Sequence, residues 1–373
     1  MIQANSKTAP DCTRRSFLGS LAAAAPATLA LSSRAFSHEA KPEIKLGFDN
    51  FSIRGFNYDA PQLIDYAKSL NVDVLLLSDL DVYESFADDY LEGVRQRAAQ
   101  AGLELHVGTG SICPTSTSYN QDKWGEAEDH VRLLVRTARR LGSSVARCYL
   151  GNRRDRSGEG GIYRHIDETV KVLKSVQSEA EDANVKIAVE NHAGDMQAWE
   201  LVELIEAAGR GFVGATMDSG NALWTIEDPM VNLETLGPYA LTTGLRDTAV
   251  WETDDGAACM WANMGQGAVD WHAYLARYRE LCPQTPFVLE IISYKWANQA
   301  PYLKPEFWSK FPEARAREFA RFVGLAKRGK EFEIPAGRPN GQESAELEQA
   351  QQKFDLEESL AYCREVLGIG RKT

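Results

Sequence analysis

The chain has 373 residues, 53 acidic against 41 basic, and a formal net charge of −12. That balance argues against a nucleic-acid partner, whose protein footprint is basic. Cys113, Cys148, Cys259, Cys282 and Cys363 are too few and too scattered for a disulfide framework, and none forms a Cys-x-x-Cys pair.

The first residues read as an address. Thr13-Arg14-Arg15-Ser16-Phe17-Leu18 has the twin-arginine form, a weakly apolar Ala-rich stretch runs on to Leu31, and Ala35-Phe36-Ser37 offers a small-x-small cleavage site. We read residues 1–37 as an export signal, which places the mature protein in the periplasm or otherwise outside the cytosol. Broken by Pro26, this stretch falls short of the ~20 apolar residues of a membrane span, so no stable membrane insertion is expected.

From there apolar runs of strand length alternate with helix-period segments. Strands are expected near 44–50, 72–78, 103–109, 144–150, 185–190, 212–217, 241–246 and 287–292. Helices are expected near 58–70, 90–101, 126–141, 162–183, 198–208, 271–281 and 313–328. Eight such units predict an α/β fold, a (β/α)8 TIM barrel over residues 44–328. No Gly-x-Gly-x-x-Gly follows the first strand, which weakens a dinucleotide-binding reading. The insertion 248–264 reads as a lid or an oligomer contact. Residues 329–373 read as a Pro/Gly-rich linker and a C-terminal helical extension at 345–367, packed on the barrel bottom or on a second subunit of a homo-oligomer.

Glu190, Asp218 and Glu290 each end an apolar strand. In a barrel of this kind such positions line the catalytic rim. Three carboxylates converging there favour Mn or Mg over Zn or Co as a divalent metal cofactor. The segments Val189-Glu190-Asn191-His192, Met217-Asp218-Ser219-Gly220-Asn221, Gly244-Leu245-Arg246-Asp247, Gly265-Gln266-Gly267-Ala268-Val269-Asp270 and Leu289-Glu290-Ile291 resemble the sugar isomerase/epimerase group with the xylose-isomerase-like barrel. The resemblance implies metal ligands at Glu190, Asp218 and Glu290 and a fourth, a His, after strand seven. Gly244 stands where that His is expected, which leaves the metal's presence open. His192 is a substitute ligand or a substrate contact. Arg246 shares the strand parity of Gly244, faces the mouth, and would either pair with Asp218 or Glu290 in place of the metal or hold an anionic substrate. Asp247 should point away from the mouth as a cap or salt-bridge partner.

Arg147, Asn221, Trp224 and Trp251 are the expected substrate contacts, with Asp79 a weaker candidate and His106 read as a core residue. The small-residue loop 108–114 suits close approach by a ligand, and Trp261 and Trp296 add further aromatics near the open face. Together these imply an exported metal-dependent isomerase, epimerase or related lyase acting on a carbohydrate or keto-sugar. Glu190 and Glu290 would exchange the proton, with His192 and Arg246 assisting. The alternative is a metal-free sugar-binding or sensing protein on the same barrel.

Overall fold

The computed structural model describes residues 44–371 apart from Trp296, so the expected export signal and Trp296 lie outside the described residues. Eight parallel strands carry the fold: β1 (Leu46–Asp49), β2 (Val74–Leu77), β3 (Glu104–Ser111), β4 (Val145–Tyr149), β5 (Lys186–Glu190), β6 (Val213–Met217), β7 (Ala240–Thr243) and the eighth, Phe287–Leu289. The eighth pairs with β1. The circle closes where Leu245 bridges Leu289, its N–H donating to Val288 O at 2.8 Å. Every residue of β1, β2 and β6 is buried, as expected of strands covered on both faces.

The helices between them follow from apolar spacing and caps. Ala127–Leu141 buries Val131, Leu134, Val135, Ala138 and Leu141 on one stripe, and Gly142 closes it in the left-handed conformation at φ 75°. Ala60–Ser69 starts at an Asp59–Gln62 capping box. The long helix expected at 162–183 is two, Gly161–Ser175 and Gln177–Ala183, interrupted at Val176 with φ −113°.

Residues 248–264, expected as a lid or an oligomer contact, are regular structure. Asp247–Thr253 and Gly256–Ala262 form an antiparallel hairpin, and Ala297–Ala300 adds a third strand. The C-terminal helix, expected on the barrel bottom or on a second subunit, packs instead along the side of the barrel. Ala345–Glu365 runs along the barrel from one rim to the other: Gln352 accepts from Gly55 N at 2.8 Å after β1, and Arg364 donates to Leu70 O at 2.7 Å before β2. Its Leu356, Leu360 and Cys363 belong to the same buried cluster as Phe48 and Trp271. The helix expected to complete the barrel, Ala316–Arg328, instead packs Phe322 and Ala326 against Val250, Ala257 and Cys259 of the hairpin. Segments after strands seven and eight thus build a small cap, and the chain returns to the barrel to supply its last helix.

No helix among the described residues is long and apolar enough to cross a membrane. The five cysteines in this region are buried and unpaired.

Candidate active site

Strand ends bring the acids together. Glu190 is the last residue of β5, Asp218 follows β6, and Glu290 follows Leu289 in the eighth strand. One carboxylate oxygen from each lies within 4.8 Å of the others, a spacing that could hold a metal ion. Asp218 also caps the short helix Ser219–Ala222, its Oδ1 accepting from Gly220 N at 2.7 Å and Asn221 N at 2.9 Å. Asn221 donates from Nδ2 to Asp218 Oδ2 at 2.8 Å and to Glu190 Oε1 at 3.3 Å, which locks two of the acids to each other.

Two buried arginines oppose this charge. Arg147 donates from Nε to Glu190 Oε2 at 2.7 Å and from Nη1 to Thr109 O at 2.9 Å. Arg246 places a single nitrogen, Nη2, against both Asp218 Oδ2 and Glu290 Oε2. Its guanidinium lies 4.4 Å above the Trp261 ring, which in turn stacks on Trp224 at 4.3 Å and 14°. Gly220 makes room for it: a Cβ there would meet Arg246 Cγ at 2.3 Å.

The position of Gly244 is informative in the opposite way. A Cβ there would sit 3.4 Å from Glu290 Oε2 and 3.9 Å from Asp218 Oδ2, so a side chain at 244 would reach the acids. Glycine supplies none, and the positive charge comes from Arg246, two residues on. The donor set therefore does not fit a resident divalent cation as arranged. Nη2 holds the two oxygens such an ion would need, and Arg246 Nε and Nη1 are buried N–H groups without a hydrogen-bond partner. Those donors suit an oxygen ligand and repel a cation.

Burial sets the proton affinities. It pushes Asp218 up to about 6 against the pull of Arg246, and raises Glu190 well above the carboxylate range despite Arg147. Burial lowers His192 to about 4, with Arg147 adding to the effect, so its imidazole is neutral. His192 stacks on Tyr149 at 3.7 Å and donates from Nδ1 to Gly151 O at 2.6 Å, which leaves Nε2 as the basic nitrogen. It makes no approach to the acid triad as a ligand.

Beside this cluster is a cavity of about 230 Å³ walled by Phe51, Trp124, Arg147, Tyr149, His192 and Glu290, with Asp79 at its rim. Glu290 Oε1, which has no hydrogen-bond partner among the described residues, completes the carboxylate on that wall. A larger cleft of about 670 Å³ lies between the hairpin and residues 321–333, but none of the acids lines it.

Other expected contacts sit elsewhere. Trp251 packs on Phe332 at 6.1 Å, on the outer part of the hairpin and away from this cavity, because the hairpin carries it outward. Trp224 borders a different cavity, with Arg153 and Asn298. His106 is a core residue, with Nδ1 2.8 Å from Thr242 Oγ1. Asp247 is not at the surface: it accepts from Trp271 Nε1 at 2.8 Å and from the N–H groups of Gly265 and Val269, and so organises the loop after the hairpin.

Sequence reasoning missed two buried acids beside the site, Asp49 and Asp195. Asp49 ends β1 as the other acids end theirs, and accepts from Phe51 N at 2.8 Å and from the Ser78 hydroxyl. Burial, reinforced by Glu290, pushes it up to about 7. Its signal in the sequence is the same strand-terminal acid, in a strand that carries no matching motif. Asp195 gathers the N–H groups of Gly151 and His192, which shapes the turn that presents the imidazole.

A family model described as xylose isomerase-like TIM barrel matches residues 64–323. The chain belongs to that family. Over 205 residues it is 22% identical to 3-oxo-isoapionate decarboxylase of Pectobacterium atrosepticum, covering 54% of this chain and 66% of that relative, slightly under two thirds of its length. Among solved structures, a D-psicose 3-epimerase determined in the presence of D-fructose matches with a TM-score of 0.57 and 15% identity, over 87% of this chain and all of the other. A xylose isomerase-like barrel protein from Mycobacterium smegmatis in complex with magnesium matches with a TM-score of 0.53 and 13% identity, over 76% and 97%. At these identities the structural likeness is one of fold.

Proposed function

We propose that this protein is an enzyme that takes a proton from the carbon next to the carbonyl of a keto-sugar or sugar acid, with Arg246 in place of the metal expected from the family resemblance. The observation that carries the reading is Glu290: Arg246 holds Oε2 while Oε1 stays without a partner at a cavity sized for one small sugar. Drug-sized ligands occupy ~300 Å³ or more, so an oligosaccharide would not be enclosed.

In the reaction Glu290 Oε1 accepts the proton, and the C–H pair becomes the double bond of an enolate. Negative charge then develops on the former carbonyl oxygen, where the Arg147 guanidinium on the cavity wall opposes it. His192 Nε2 exchanges a proton on a second side of the bound sugar, its tautomer fixed by Gly151 O. Glu190 and Asp218 orient the two arginines and do not reach the substrate. Return of the proton gives isomerisation or epimerisation, and loss of a neighbouring group gives a lyase. Decarboxylation of a 3-oxo acid passes through an enolate of the same kind, so the decarboxylase relative is compatible with this chemistry. The Arg14-Arg15 pattern supports a periplasmic place of action.

The test is solvent exchange. Ketohexoses and 3-oxo sugar acids are incubated with the full chain in deuterium oxide and followed by proton NMR. Loss of the signal next to the carbonyl is expected, slowed ~100-fold or more in Glu290→Gln. Saturable binding without exchange on any member of the panel would instead make this a sugar-binding protein.

A further inference from the structure

We propose that a second cavity, lined by Arg153, Arg154, Arg156 and Lys310 beside Trp224, binds the carboxylate of an acidic sugar. The cavity is about 450 Å³ and shares no lining residue with the one at Glu290. No acidic residue lines it, although the whole chain carries a net charge of −12. A concentration of cations against that background makes a local positive field that selects anions.

The cations differ in what they do. Arg156 is buried and already committed: it holds Glu200 through two bonds of 2.7 and 2.8 Å and donates from Nε to Lys310 O at 2.8 Å. It fixes the wall and brings the Lys310 backbone into place. Arg153, Arg154 and Lys310 have no carboxylate within ion-pair distance among the described residues. Arg153 is nonetheless held in position, with Nη1 donating to Asn298 Oδ1 at 2.6 Å and the guanidinium 5.9 Å from the Trp224 ring centre. An oriented guanidinium without a counter-ion is the group that grips a carboxylate.

The remaining lining points to a sugar rather than to a bare anion. Trp224, Phe307 and Phe311 border the same space and offer aromatic surface for the C–H face of a pyranose. Trp224 Nε1 is a buried donor with no hydrogen-bond partner, and Gln299 adds amide groups at the edge. This site also touches the active site through one turn. Arg153 N donates to Ala193 O at 3.1 Å, one residue from His192. The cavity is therefore suited to hold a separate acidic sugar close to the catalytic turn.

Calorimetric titration of the full chain at low ionic strength with D-glucuronate, D-glucose and inorganic phosphate tests this. D-glucuronate should bind saturably and at least about 10-fold more tightly than either of the others. The exposed pair Arg153→Ala with Lys310→Ala should weaken it by about 10-fold or more, the worth of one charged hydrogen bond. Glu290→Gln should leave it unchanged, which separates this site from the proposed reaction. Equal binding of glucose, or of phosphate, would overturn the assignment. So would glucuronate binding that survives the double substitution.

Discussion

Arg246 shows how one side chain can redefine a site. Its Nη2 sits against Asp218 and Glu290, at the point where a cation shared by these acids would have to lie. Such an arrangement needs a residue without a side chain at Gly220, where the guanidinium stem crosses the backbone. Gly220→Ala would force Arg246 off its partners and strand two buried carboxylates. Overpacking alone costs ~1–3 kcal/mol. The expected result is a lower midpoint in urea unfolding and at least ~10-fold slower solvent exchange on the substrate found. Unaltered exchange in a folded Gly220→Ala variant would mean that the guanidinium does not act where it lies. The acids and Arg246 were legible in the sequence because each ends or follows an apolar strand. Which of the offered partners Arg246 takes was not legible, since that depends on side-chain reach between separate strands. Asp49 shows the reverse case: the local signal was present, and only its burial beside Glu290 and Arg147 reveals it as part of the cluster.

At the level of elements, the eight parallel strands follow from their continuous apolar runs, and most of their helices from spacing and caps. The connections after strands seven and eight do not, because sequence alone does not say which face a helix will bury. Ala316–Arg328 and Ala345–Glu365 both have the length of a barrel helix, and contacts across the chain decide between them. Leu356→Ala should therefore cost ~2–5 kcal/mol of global stability, as for a buried leucine of the barrel core. Phe322→Ala should mainly raise hydrogen exchange in the hairpin Asp247–Ala262. Equal, purely local effects of both would contradict the division. The loop after β6 adds a test in pH. Burial raises Glu227 to about 8, against the bond it accepts from Ala198 N. A carboxyl raised on folding contributes stability that is present below its unfolded value and lost as pH rises through the folded one. Glu227→Gln removes the titration, so its stability relative to the native chain should grow between about pH 5 and about pH 9. A constant difference across that window would remove Glu227 as the titrating group.

The molecule as a whole separates two tasks. A xylose isomerase-like barrel holds the acids. The cap after strands seven and eight contributes Trp261 beneath Arg246 and Asn298 beside Arg153. Gly244 and Arg246 together mark the departure from the ligand set that the family resemblance implies, and one experiment addresses both. Elemental analysis is made on the full chain purified without chelator or affinity-tag metal, beside a variant carrying Gly244→His and Arg246→Ala. No stoichiometric Mn, Mg, Co or Zn is expected in the native chain. In the variant, where the guanidinium is gone and a fourth ligand faces the acids, about one equivalent is expected. A native chain that carries about one equivalent, lost in Asp218→Asn, would contradict the assignment, because the cation would then occupy the place between the acids that Arg246 fills.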